Sequence, residues 1–296
     1  MQKLESTIAL ALAFYIVTSA SQADTIQMDQ ADTSVLYLLD TQQNSATETS
    51  VDLQQIGGGN RGEARQSSVS NSGILIHQQG DLNTSSVEQS LGANNHVSTY
   101  QIGSFNETLV IQSASREGDI ATTQIGFSNE SLVVQELGSG NRVNIVQYGQ
   151  LNTVTLNQHN SNFSQSYVFQ TGGNNEVKTT QDGAENLGYT IQSGNFNSSD
   201  HLQTGYTHEI YTFQDGFDNQ SQVIQQGSYN AASTSQSGYF NGISVLQTGI
   251  LGIGGDHRAI TTQSGGFNLI TIHQTGVSSS AITTQIGSGN SVSLTQ

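Results

Sequence analysis

One glutamine recurs through the chain at intervals of eleven or twelve residues, and no other feature restricts the possible folds so strongly. It stands at Gln55, Gln66, Gln78, Gln89, Gln101, Gln112, Gln124, Gln135, Gln147, Gln158, Gln170 and Gln181, with spacings that alternate between eleven and twelve. From Gln181 the spacing is a strict eleven through Gln192, Gln203, Gln214, Gln225, Gln236 and Gln247. After one longer interval it resumes at Gln263, Gln274, Gln285 and Gln296. Self-similarity at such a period marks stacked units, each of which needs its neighbours to bury its apolar face.

The phrase between two glutamines is clearest at residues 124–135, QIGFSNESLVVQ. Side chains alternate across a strand, so Asn129, Ser131, Val133 and Gln135 share one face. The preceding Gly-Phe-Ser reads as a turn, because Gly accepts positive φ and Asn tolerates it. Counting back from each closing Gln, positions minus six, four and two face inward, as in Asn60, Gly62, Ala64 or Asn241, Ile243, Val245. Minus six is Asn in 15 of 21 intervals. The inward set includes Asn60, Asn83, Asn106, Asn129, Asn152, Asn175, Asn197, Asn219, Asn241, Asn268 and Asn290, and a slip of one residue would turn all of it to solvent.

Turn chemistry separates the two spacings. Gly stands two residues after the Gln in 16 intervals, including Gly57, Gly80, Gly103, Gly126, Gly149, Gly172 and Gly287. The five exceptions, Ser68, Leu91, Ala114, Leu137 and Asn160, open the five twelve-residue intervals. The expectation is a tight corner where Gly is present and a wide one elsewhere, with only the tight corner needing backbone freedom at that position. Residues 250–257 (ILGIGGDH) carry the extra length of the long interval and are expected to form a surface protrusion, with His257, Ala259 and Thr261 holding the inward parity.

Two strands per 22 or 23 residues predict an all-β chain: a flattened β-solenoid of about ten rungs at residues 55–296. Rungs stacked at about 4.8 Å would make it on the order of 50 Å tall, with the two sheets roughly 10 Å apart. Buried Gln and Asn are costly unless bonded, but amides stacked in register can each donate to one neighbour and accept from the other. A prion-like low-complexity chain would show the glutamines without keeping apolar residues in one parity.

Composition agrees. The 296 residues include no Pro, which would interrupt a ladder, and no Cys, which excludes disulfides and CxxC metal or redox sites. Net charge is −16, and the seven basic residues are scattered, so no basic patch for nucleic acid exists. The acidity suits a self-associating chain held soluble by repulsion. Residues 1–23 read as a secretory signal, with Lys3 before an apolar run at 8–17 and small residues at Ser21 and Ala23. Residues 24–54 are less regular and read as an export or docking segment, or as a degenerate strand in which Thr49, Val51 and Leu53 face inward. Within them, 34–39 (SVLYLL) is a further candidate strand.

The phrase Q-x-G-x-x-N-x-(small or apolar)-x-x-x-Q resembles the repeat of the curlins, the subunits of curli amyloid fibres. QYGQLNTVTLNQ at 147–158 and QIGSGNSVSLTQ at 285–296 are close to that pattern. The 23-residue alternation is similar to the major subunit, and the strict eleven is similar to the minor, nucleating one. The resemblance implies a secreted amyloid subunit of bacterial biofilm matrix and cell adhesion. It would cross periplasm and outer membrane through a dedicated export channel with accessory factors, then polymerise with itself and other curlin subunits on the cell surface. The glutamines and asparagines named above would be its ladder positions. Residues 24–54 depart from the family in lacking the Gly-rich character of the major subunit's export segment.

Rival readings have less support from the residues. His77, His96, His159, His201, His208, His257 and His273 form no HxH or HExxH cluster and read as isolated turn or surface groups, so no metal or cofactor is expected. Asn83-Thr84-Ser85 and Asn106-Glu107-Thr108 match glycosylation sequons, but the repeat itself generates them. A polysaccharide-active enzyme would need carboxylates and bases clustered on one face. A non-amyloid secreted solenoid adhesin or ice-binding protein is the alternative, but the ice-binding form needs an outward Thr ladder, and Thr122, Thr179 and Thr212 have inward parity. The chain is expected to be structural and not an enzyme. Its open ends would recruit further copies, since Gln296 closes a strand with no capping element after it.

Overall fold

The computed structural model describes residues 15–19, 25–31, 38–249 and 255–296. Among them it holds 25 strands and no helix. Strands are numbered in chain order: β1 Tyr15–Ser19, β2 Thr25–Ala31, β3 Leu38–Asn44, β4 Ser50–Ile56, β5 Arg61–Ser67, β6 Gly73–Asp81, and so on to β24 Ser279–Ser288 and β25 Ser291–Thr295. Odd strands form a 13-stranded sheet and even strands a 12-stranded sheet, each in simple sequence order. The described pairs are parallel, so the chain alternates between two sheets and climbs one rung with every two strands. The molecule is a flattened β-solenoid.

Register follows the glutamines. Gln78 pairs with Gln101 and Gln101 with Gln124, 23 residues apart; further on Gln192 pairs with Gln214, 22 apart. The change of period is absorbed in one place, a bulge between His159 and Asn162 where the strand Thr153–Asn162 meets Glu176–Ala184. The long interval leaves the register intact: Gln236 pairs with Gln263, and His257, Ala259 and Thr261 are buried as expected. The protrusion itself falls at 250–254, outside the described residues. Of the expected leader, only Tyr15–Ser19 is described, as β1 paired with β3. In the candidate strand at 34–39, only Leu38 and Leu39 are described, within β3. Between β3 and β5, β4 lies beneath β6 with Thr49, Val51 and Leu53 buried.

Alternating burial drives this architecture. Strand Arg142–Gln150, for example, buries Val143, Ile145 and Gln147 and exposes Arg142 and Asn144. One apolar cluster runs from Val51 to Val177 and a second from Ile210 to Ala281, with Val292 and Leu294 packed against the second. Each fully buried Val, Leu or Ile contributes roughly 1.5–3 kcal/mol. Between the clusters, the inward positions are Gly188, Thr190, Ser199 and His201, so the core there is polar.

The corners partly correct the expectation from sequence. Tight-corner glycines adopt a φ that only glycine reaches readily, such as +112° at Gly103 and +131° at Gly126. They are also crowded: a Cβ on Gly103 would lie 2.0 Å from the carbonyl oxygen of Gly126 on the next rung. The wide corners need positive φ as well, with Ser68 at 55°, Leu91 at 54° and Ala114 at 51°. Backbone freedom is therefore required at both corner types. They differ in that the left-handed helical value at the wide corner admits L side chains at modest cost.

Candidate functional site

No pocket with convergent chemistry exists among the described residues, and no three His, Asp or Glu side chains gather there to hold a metal. What the sequence builds instead is three columns of buried groups running the length of the solenoid.

The first two are the glutamine ladders, one inside each sheet. In the even sheet Gln55 Nε2 donates to Gln78 Oε1 (2.6 Å), Gln78 to Gln101 (2.8 Å), Gln101 to Gln124 (2.8 Å), and the series continues to Gln263 donating to Gln285 (2.9 Å). In the odd sheet it runs from Gln66 donating to Gln89 (2.9 Å) to Gln274 donating to Gln296 (3.1 Å). Every described bond points the same way, from Nε2 to the Oε1 one rung towards the C-terminus. The second amide proton is used across the core: Gln147 Nε2 also donates to the carbonyls of Glu130 (3.0 Å) and Asn152 (2.9 Å). A buried amide satisfied in this way incurs no desolvation penalty, and each bond adds about 1 kcal/mol.

The third column is asparagine at one corner, from Asn60 to Asn290. Asn106 shows its logic. Its backbone N–H and Nδ2 both donate to Asn83 Oδ1 (3.1 and 3.0 Å), while Nδ2 also reaches the carbonyls of Ile102 (3.3 Å) and Gly126 (3.1 Å). One short amide thus joins three rungs and caps the carbonyl of the corner glycine. Asn83, Asn106, Asn129, Asn152, Asn175, Asn197, Asn219, Asn241 and Asn268 repeat this pattern, and Asn290 ends it with Nδ2 donating to Asn268 Oδ1 (3.0 Å). The buried amides at Asn83 and Asn106 place both sequon matches inside the fold, as the repeat explanation requires.

His201 and His208 differ from the expectation of isolated turn or surface groups: both are buried, as is His257, whose inward parity is expected from the repeat. His201 lies in the polar layer with Nε2 2.8 Å from Thr212 Oγ1 and 2.9 Å from Ser199 Oγ, and burial lowers its pKa from 6.5 to about 3. His208 replaces a corner asparagine, with its ring 3.1 Å from the carbonyl of Thr204, and burial lowers its pKa too. Their inward parity was the available signal: both sit at even offsets from a closing Gln. The repeat phrase also gives no sign of the outward columns of aromatics. Tyr167, Tyr189 and Tyr211 follow one another on consecutive even strands with ring centroids 6.1 Å apart. Phe196, Phe217, Phe240 and Phe267 do the same along one corner.

The ends of the columns differ from their middles. β24 and β25 each pair on one side only. The corner glycines Gly276 and Gly287 have no next rung above them; a Cβ at Gly276 would meet nothing within 4 Å. Val292 and Leu294 are half-buried, while Ser291, Ser293 and Thr295 are exposed, so the last strand keeps the inward parity of the others.

A chain of this construction is a β-solenoid repeat protein. The sequence model of the curlin associated repeat matches residues 119–149 and 268–296, so the chain carries curlin repeats at those two places. No curated protein matches it.

Proposed function

We propose that the chain is the structural subunit of an extracellular fibre of the curli kind, growing as copies add to the open edges of its sheets. The observation that carries this reading is the last rung. Gln285, Gly287, Asn290 and Gln296 are the same residue types that bond every interior rung to its successor, and among the described residues no strand pairs with their outer edge. An edge of unpaired main-chain donors and acceptors is a template for another strand, and globular proteins blunt it with charge or Pro. Here the final strand SVSLT carries neither. A second copy supplies a matching edge, so the fold that stacks rungs within a copy also stacks copies.

The repeat family supports the wider assignment: an amyloid fibre of biofilm matrix and cell adhesion, built from this chain and other curlin subunits. Export follows the same reading, with residues 1–23 as a leader, and passage through the periplasm and a curli-type outer-membrane channel. The role is structural and not catalytic. The test is to purify the chain, follow fibre formation by dye binding and microscopy, and add preformed fibres as seeds. Seeds should remove the lag. A chain that stays monomeric with and without seeds would refute the proposal.

A further inference from the structure

Two buried amide atoms, Gln55 Oε1 and Gln285 Nε2, have no hydrogen-bond partner. They sit at opposite ends of the same column. Each bond in that column runs from Nε2 to the Oε1 one rung on, from Gln55 donating to Gln78 through to Gln263 donating to Gln285. The column therefore begins with an unused acceptor and finishes with an unused donor, the two halves of one more bond.

Gln55 is not at a bare end, however. β2 pairs in register with β4, placing Gln30 opposite Gln55, and β3 pairs with β5, placing Gln43 opposite Gln66. The seat beneath β4 is filled by the chain's own N-terminal strands, yet the acceptor at Gln55 stays unused. The sequence accounts for the poor match. Gln30 and Gln43 are thirteen residues apart, where the solenoid elsewhere uses eleven or twelve, save the sixteen from Gln247 to Gln263. Asp32 stands where a tight corner has Gly, and Tyr37 where the corner has Asn. This first rung has the strand pairing of the solenoid without its corner chemistry. The last rung, β24 and β25, has all of that chemistry and no described strand stacked on it. A Cβ on Gly287 would meet only Asn290 Nδ2, at 3.6 Å, whereas a Cβ on Gly265, one rung earlier, would lie 1.9 Å from the carbonyl oxygen of Gly287.

We propose that β2 and β3 are an exchangeable cap, and that in the fibre β24 and β25 of a second copy take their seat on β4 and β5. The proposal rests on the fibre-subunit reading above and adds which strands meet and what must leave. In the exchanged junction Gln285 Nε2 of one copy donates to Gln55 Oε1 of the next. Asn60 donates to Asn290 Oδ1, as each corner asparagine does to the one before it, and Gly287 stacks beneath Gly57. The columns then run unbroken from copy to copy. Exchange replaces an ill-fitting rung by a fitting one, so it is favourable once copies meet, and release of the cap gates each addition.

The test locks the cap. The chain has no cysteine, and Gln27 and Asp52 are register partners on β2 and β4. Neighbouring in-register strands lie within the Cα separation that a disulfide spans. The full chain carrying Gln27→Cys and Asp52→Cys is oxidised, bond formation is checked by loss of free thiol, and elongation of wild-type seeds is followed before and after reduction. The proposal expects the disulfide to form, oxidised protein to lose elongation, and reduction to restore the wild-type rate. If the oxidised chain extends seeds as fast as the reduced one, copies stack on β2 and β3 as they stand; the cap proposal falls and the fibre reading survives. If the thiols do not join, β2 is not seated on β4 and the proposal also falls. If neither wild-type nor reduced protein forms fibres, the fibre reading itself fails and takes the cap with it.

Discussion

The corner glycines give a prediction that separates folding from assembly. Gly103→Ala puts a methyl group 2.0 Å from the carbonyl oxygen of Gly126, at a φ of +112°. Backbone strain in such a region costs about 1–3 kcal/mol. Moving a packed neighbour aside costs about 1–3 kcal/mol more. The variant should therefore lose roughly 2–6 kcal/mol. Ser68→Ala is the matched control: Ser68 has φ 55°, and Ala already occupies the equivalent wide corner at Ala114 with φ 51°. Its effect should stay within about 0.5 kcal/mol. Gly287→Ala is the informative third variant. It keeps the strained φ of +107°, but within one copy its nearest neighbour is Asn290 Nδ2 at 3.6 Å. It should lose only the strain energy in unfolding, yet block the next copy as severely as Gly103→Ala blocks its own next rung. Guanidinium unfolding of freshly prepared monomer, read by far-UV circular dichroism, gives the first ranking; seeded elongation gives the second. Equal unfolding midpoints for Gly103→Ala and Ser68→Ala would refute the two-corner account. Normal elongation by Gly287→Ala would mean that no copy docks over that corner.

Gln147→Ala removes one ladder amide and its bonds to Gln124 (2.9 Å) and Gln170 (2.9 Å), and should cost about 3 kcal/mol by lost bonding and cavity formation, against about 0.5 kcal/mol or less for exposed Asn144→Ala in the same unfolding assay. His201, with its pKa lowered to about 3 by burial, contributes stability that is fully present above its unfolded pKa of 6.5 and is lost as pH falls from there towards 3. Wild type should therefore lose about 2 kcal/mol between pH 7 and 5 that His201→Val does not lose, and parallel pH profiles for the two would contradict the burial of a neutral imidazole. Lys at both Val292 and Leu294 buries unpaired charge and should fray β25 and slow seeded elongation, whereas Lys at Ser291 and Ser293 leaves the charge in solvent. Equal elongation rates at matched ionic strength would show that β25 is not part of the growing edge.

Much of the fold is legible in the sequence, because a period-two code with a glutamine at every eleventh or twelfth position admits one register. Asn129, Val133 and Gln135 share a face in any strand, and the structure buries all three. The legible features are those set by neighbours along the chain. Features set by neighbours in space are hidden. Ser68 gives no local sign of its left-handed backbone, which follows from the path between two stacked strands. His201 looks like an isolated polar residue until Ser199, Thr190 and Thr212 surround it in a polar layer. The pairing of β2 with β4 is similarly obscured, since Asp32 and Tyr37 break the corner pattern that marks every later rung. The direction of the amide columns, and hence the complementarity of their ends, is visible only once donors and acceptors have positions.

The central claim is that copies stack along the solenoid axis as rungs stack within a copy, and diffraction from aligned fibres tests it most directly. The account predicts a reflection near 4.8 Å along the fibre axis from strands lying across it, and a reflection near 10 Å perpendicular to the axis from the two facing sheets. A pattern with the 4.8 Å reflection perpendicular to the axis, or with neither spacing, would contradict it.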